Sequence, residues 1–275
     1  MKKILALILC ALLTLSVFAV PVMAEEAPVH YVVIGDSIAR GAGIYNSADA
    51  CYGRIVADTN GYEYVNFGID GYTSWQLKDY VRTSAVSAAL AEADVISISI
   101  GGNDYLQQNL PKLITQVTFG NYQIMNDIQN NYREHLTDIF DYITEINPDV
   151  VILAQTLYNP RTDLIKYSFG EATKRVNEVV NEMPARYPGV VYIVDTVPSV
   201  EGKPECVATD GIHPSAYGNI VISELVLQKL YELGLGENLE PEVNNLGIDQ
   251  IPFSSNILSA LKNFFLRIVN FFKSL

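Results

Sequence analysis

Histidine is scarce in this chain, with three among 275 residues. Tryptophan occurs once, as Trp75, and cysteine three times. These shortages narrow the chemistry. No two cysteines form a C-x-x-C motif, and no His/Cys cluster has the spacing of zinc ligands. Neither a metal nor a cofactor is expected. Basic side chains are few as well, 18 against 31 acidic, for a formal net charge of −13. Such a surface repels polyanions, so a nucleic-acid partner is not expected.

The N-terminus supplies the one segment that reads as a targeting signal. Lys2 and Lys3 precede an apolar stretch over residues 4–20, and Val22-Met23-Ala24 places small residues at a cleavage position. Residues 1–24 are therefore read as a signal peptide, and the product as secreted or associated with the cell envelope. Its loss takes the formal charge from −13 to −15 by removing Lys2 and Lys3. It also removes Cys10 and leaves Cys51 and Cys206. In an exported chain those two either pair or stay apart as separate buried thiols.

From residue 28 to residue 234 strand-like and helix-like segments alternate. Short Val/Ile-rich runs at 29–34, 63–66, 95–100, 150–155 and 190–194 suit buried parallel strands. Helical periodicity falls between them, at about 49–60, 74–91, 122–146, 170–187 and 214–233. The alternation predicts a doubly wound α/β sheet, in which ligands bind beyond the carboxyl ends of the strands. Segments 105–121 and 157–169 read as long loops, the second carrying Tyr158, Arg161, Lys166 and Tyr167.

Four short strings fall just after strand-like runs. They are Gly35-Asp36-Ser37, Asn66-Phe67-Gly68-Ile69-Asp70-Gly71, Gly101-Gly102-Asn103-Asp104, and Asp210-Gly211-Ile212-His213. A serine nucleophile needs a base active near neutral pH, and that base needs a carboxylate to orient it. Ser37, His213 and Asp210 supply these three parts. The tetrahedral oxyanion of acyl transfer needs fixed N–H donors. The Ser37 and Gly71 backbones and the Asn103 side-chain amide are the candidates. Taken singly each residue also has an ordinary use: Ser37 and Asp210 as helix caps, Gly71 and Asn103 in turns, His213 at the surface. His30 and His135 lie near no motif and are expected at the surface.

In this order the four strings resemble the SGNH hydrolases, also called the GDSL esterase/lipase family, over residues 31–233. Ile38 stands where that family usually has leucine. The resemblance implies a flavodoxin-like three-layer α/β/α sandwich with about five parallel strands. It also implies ester hydrolysis without a metal, with Ser37 as nucleophile, His213 as base, Asp210 as its partner, and Ser37, Gly71 and Asn103 as oxyanion donors. The expected function is a secreted carboxylester hydrolase acting on a lipid, a short-chain acyl ester or an acetylated glycan. Its alternatives are an acyltransferase to an envelope glycan and a non-catalytic envelope-binding protein.

The domain expected over residues 25–235 is followed by a polar, acidic linker at 236–255. Residues 256–275 then carry Lys262, Arg267 and Lys273, no acidic residue, and a wide apolar helical face. This segment is expected to form an amphipathic helix. It would dock on a membrane surface or a partner, or fold back onto the acidic body.

Overall fold

The computed structural model of the chain describes residues 27–249. The expected signal peptide at 1–24, the last part of the expected linker and the expected amphipathic helix at 256–275 lie outside the described residues.

Five parallel strands form one sheet in the order β2-β1-β3-β4-β5. They are β1 (His30–Gly35), β2 (Glu63–Gly68), β3 (Val95–Ser99), β4 (Val151–Gln155) and β5 (Val191–Val194). Each coincides with an expected run to within two residues at either end. The chain starts in the middle of the sheet, moves outward to β2, then returns past β1 to β3. The carboxyl ends of β1 and β3 therefore flank the point where the winding reverses, which is where this topology opens a crevice.

Side chains alternate across the sheet with the period of two that pleating imposes. Val32 and Ile34 of β1, Ile96 and Ile98 of β3, and Ile152 and Ala154 of β4 share one apolar core. Tyr31, Val33, Val95 and Leu153 enter the other. Helices cover both faces, giving the three expected layers.

Between β1 and β2 run α1 (Ser37–Arg40), α2 (Ser47–Ala50) and α3 (Tyr52–Asn60). Then come α4 (Ser74–Tyr80) and α5 (Ser84–Glu92), and after β3 come α6 (Gly102–Leu106), α7 (Leu110–Thr118) and α8 (Gln123–Ile146). The remaining helices are α9 (Lys166–Arg186), α10 (Val197–Val200) and α11 (Ala216–Glu232). α4, α5, α8 and α9 pack on the first core, α3 and α11 on the second.

Several expected boundaries move. The helix expected at 49–60 breaks at Cys51, whose extended backbone starts a new helix. The helix expected at 74–91 breaks at 81–83, where the Thr83 hydroxyl donates to the Tyr80 carbonyl (2.7 Å) and stops the first helix. Segment 105–121 is mostly helical rather than a loop. Asn109 accepts the Lys112 N–H and caps α7, with Pro111 in its first turn.

Residues 236–249 are strapped along the body. The Glu237 and Asn238 N–H groups donate to Asn60 Oδ1, and the Glu242 N–H donates to Thr59 Oγ1. Farther on, the Tyr45 N–H donates to the Ile248 carbonyl and the Ala216 N–H to Asp249 Oδ1, both at 2.8 Å.

Candidate active site

Ser37 lies two residues past the last residue of β1 and opens α1. Asp36 caps that helix, its Oδ1 accepting the Ile38 N–H at 3.0 Å. The Ser37 N–H is among the first of the helix, which have no intrahelical partner. The turn needs glycine at position 35. Its φ is +136°, and a Cβ there would lie 2.1 Å from the Ser99 carbonyl oxygen. This close approach of β1 to β3 sets Ser37 at the crevice.

The partner loop lies between β5 and α11. Asp210 Oδ1 accepts the N–H groups of Ile212 (2.9 Å) and His213 (3.0 Å), and its Oδ2 meets His213 Nδ1 at 2.6 Å. His213 Nε2 lies 2.8 Å from Ser37 Oγ. One imidazole thus joins a carboxylate on one side to a serine on the other. The Ala208 N–H donates to the His213 carbonyl, and the Tyr158 hydroxyl donates to the Ile212 carbonyl (2.9 Å). Tyr158, expected in a long loop, is buried and holds this turn. Gly43 packs the loop after Ser37 against it, since a Cβ there would sit 2.9 Å from His213 Cβ. Arg161 lies over Gly211 and pairs with Asp163.

Electrostatics separate the two aspartates. Burial works to raise the Asp210 carboxyl, but the ring and backbone bonds from His213 and its charge hold it below the ordinary range. It therefore stays a carboxylate beside the imidazole. Asp36 is fully buried, and desolvation raises its carboxyl to about 7 despite the Ile38 N–H and the nearby His213.

The other expected donors sit on the neighbouring rim. Gly71 has φ +77° in the turn between β2 and α4. Asn103 lies in the first turn of α6, after β3, and its Nδ2 donates to the Tyr72 carbonyl at 3.0 Å. A side-chain amide has two N–H groups, so a second remains for a ligand. Ser37, His213, Asp210, Gly71 and Asn103 thus all lie beyond the carboxyl ends of the strands. Such a site can draw a proton from Ser37 Oγ to His213 Nε2 and offer N–H groups to a developing oxyanion.

His135 departs from its expected place. It is half-buried on α8, and its Nδ1 lies 2.9 Å from Ser74 Oγ. The same hydroxyl donates to Asp104 Oδ1 at 2.5 Å. Nothing in the spacing of residues 74, 104 and 135 signals this meeting, because it depends on how α4, α6 and α8 pack. His30 is exposed as expected, paired with Glu63.

Cys51 and Cys206 are both free and buried. The two thiols face different surroundings. Cys51 Sγ lies 3.3 Å from the Tyr64 hydroxyl, while Cys206 Sγ points at the Ser199 carbonyl (3.9 Å). The separate-thiol alternative is the one realised, and the pairing is not. Among the described residues no cluster of His, Cys, Asp and Glu suits a metal ion, and no helix is long and apolar enough to cross a membrane.

Comparison with known proteins bears on the family and the fold. The sequence profile of the GDSL-like lipase/acylhydrolase family matches residues 33–220. An uncharacterized protein of Bacillus subtilis, YpmR, is 24% identical over 224 residues, covering 75% of this chain and 84% of that protein. Among solved structures, the lipase Lip_vut3 from a goat rumen metagenome superposes with a TM-score of 0.61 at 20% identity, over 76% of this chain and 99% of that one. A variant of Axe2, an acetyl-xylooligosaccharide esterase from Geobacillus Stearmophilus, gives 0.56 at 19% identity, over 77% and 96%. A family 3 carbohydrate esterase from Clostridium thermocellum gives 0.54 at 18% identity, over 77% and 100%.

Proposed function

Since the chain belongs to the GDSL-like lipase/acylhydrolase family and is a carboxylic ester hydrolase, we propose that it is a secreted serine esterase working through Ser37, His213 and Asp210. The observation that carries this reading is the continuous hydrogen-bonded line from Asp210 Oδ2 through His213 to Ser37 Oγ, at 2.6 and 2.8 Å.

Neutral His213 takes the proton of Ser37 as Oγ attacks the acyl carbonyl. Asp210 keeps the imidazole in the Nδ1–H tautomer and stabilises the imidazolium that forms. The oxyanion is held by the N–H groups of Ser37 and Gly71 and by the free N–H of Asn103. As the tetrahedral intermediate collapses, His213 returns its proton to the leaving alkoxide. It then takes a proton from water as the water oxygen attacks the acyl-serine, and returns that proton to Ser37 Oγ as the acid leaves.

Secretion rests on the charged start, apolar stretch and small residues of positions 1–24. The esterified partner is a small molecule or a glycan. A panel of short-chain esters, long-chain lipids and acetylated oligosaccharides, with product analysis, tests the reading. Free acid from at least one class, lost in Ser37→Ala, supports it. An acyl group passed to a sugar hydroxyl in place of water would make the protein a transferase. Turnover that survives Ser37→Ala would remove Ser37 from the mechanism.

A further inference from the structure

The turn that carries Gly71 is gripped by one short helix. Gln107, at the end of α6, donates through Nε2 to the Gly71 carbonyl. Asn103 donates to the Tyr72 carbonyl (3.0 Å). Asp104 accepts twice from Ser74, the N–H through Oδ2 at 2.9 Å and the hydroxyl through Oδ1 at 2.5 Å. Side chains at 107, 103 and 104 therefore bind positions 71, 72 and 74 respectively. These bonds tie the two peptide planes and the residue that directly follow the Gly71 N–H, so the two rims on which Gly71 and Asn103 sit are held to each other.

His135 closes this arrangement from α8. Ser74 is fully buried and Asp104 nearly so, whereas His135 reaches toward solvent. The Ser74 hydroxyl gives its one proton to Asp104, although burial raises that carboxyl, and its oxygen is left to accept the Nδ1–H of His135. This bond braces α4 against α8.

We propose that Gln107, Asp104, Ser74 and His135 are positioning residues for ester hydrolysis: they fix the spacing and aim of the Gly71 N–H and the Asn103 amide so that both donors point at one oxyanion. The inference rests on the serine-esterase reading of the site. Donors of this kind act only when fixed at the place where charge develops, so loosening them lowers turnover and spares substrate binding.

Four variants test the brace, with Ser37→Ala as a parallel arm. Each is measured for kcat, KM and Tm on one soluble ester, and functional sites are counted by titration with a fluorophosphonate. Gln107→Leu, which changes an exposed side chain, and Ser74→Ala are each expected to lower kcat about tenfold per titrated site with KM unchanged, part of the 10²–10³ for loss of a whole donor. His135→Ala is expected to lower kcat several-fold, and His135→Asn, whose amide N–H replaces Nδ1–H, to restore it. Combined with Asn103→Ala, Gln107→Leu is expected to add little further loss, because both act on one oxyanion. If Ser37→Ala is inactive while Gln107→Leu and Ser74→Ala keep wild-type kcat, the brace is wrong and the reading of the site stands. The brace is equally overturned if the losses multiply with that of Asn103→Ala, or appear in KM alone. If Ser37→Ala retains turnover, the reading of the site is what fails.

Discussion

Ser37, His213 and Asp210 on one side of the crevice, and Ser74, His135 and Asp104 behind its neighbouring rim, contain the same three side-chain types in a different order. In the first set the imidazole is central, with the carboxylate at 2.6 Å and the serine at 2.8 Å. In the second the serine is central, with the carboxylate at 2.5 Å and the imidazole at 2.9 Å. The difference decides the chemistry. A serine whose proton faces an imidazole nitrogen can lose it to a base. A serine whose proton faces a carboxylate, and whose oxygen already accepts from a histidine, has neither a base of suitable strength nor a free lone pair aimed outward. Access points the same way, since Ser74 is 0% exposed. Residue types alone do not define a nucleophile; the order of hydrogen bonds and a path to solvent do.

The sharpest way to break the comparison is to remove each serine. Ser37→Ala is expected to abolish ester hydrolysis and fluorophosphonate labelling, and His213→Ala to cost a similar amount because these residues act as a unit. Ser74→Ala is expected to remain fully labelled at Ser37. Peptide mapping of the labelled site decides: a phosphonyl group on Ser74 in the wild type would erase the distinction between the two sets.

A smaller loss sharpens it. Asn103→Ala removes the amide that touches Tyr72 from one side and faces the crevice from the other. Turnover is expected to fall about 10²–10³-fold, the usual effect of one oxyanion donor, with the fold retained. A loss below about threefold in kcat would leave Asn103 a turn residue only.

The aspartates of the site differ in the same spirit. Asp36, buried beside Ser37, has its carboxyl raised from 3.8 to about 7, chiefly by desolvation. Between those two values the folded protein binds more protons at Asp36 than the unfolded chain does. Its stability contribution therefore falls as pH rises from about 4 to about 7 and is level above. Asp210 is shifted the other way, so its favourable contribution is present above the ordinary carboxyl range and lost only in stronger acid. Asp36→Asn keeps the oxygen that caps Ile38 and removes the charge. Denaturant midpoints taken from pH 4.5 to 8 are expected to fall with pH in the wild type more than in the variant. Parallel curves would refute the shift.

The least effect is expected from reductant. With Cys51 and Cys206 free, the Tm of the mature protein should not move on adding dithiothreitol, and the denatured, unreduced chain should titrate two thiols. A drop in Tm would mean that a bridge forms between them.

The sheet was legible because four of its strands are contiguous Val/Ile-rich runs, as buried parallel strands must be, while the edge strand β2, Glu63–Gly68, carries polar residues among its apolar ones. The meeting of Ser37, His213 and Asp210 was legible because Asp210 and His213 lie in one string and Ser37 lies just past the end of β1. Helix breaks were less so. The stop at Thr83 depends on one hydroxyl turning back to Tyr80, which periodicity averages away. The helix at 110–118 did leave a signal, Asn109 followed by Pro111 and by Leu113 and Val117 four apart, but the polar residues around it hid the pattern. The grip of α6 on residues 71–74 and the place of His135 were not legible. They join residues from three helices whose relative placement is set by packing of the core and not by any local string.

The strap at 236–249 gives this molecule a defined handle. Its last bonds, Ile248 to Tyr45 and Asp249 to Ala216, fall on the two segments that follow Ser37 and His213. A group attached at Asp249 itself would sit at the lip of the crevice. Immobilisation through Asp249 would therefore crowd the approach of bulky esters more than of small ones. Attachment at the opposite pole, near the start of β1, would leave both classes equal access.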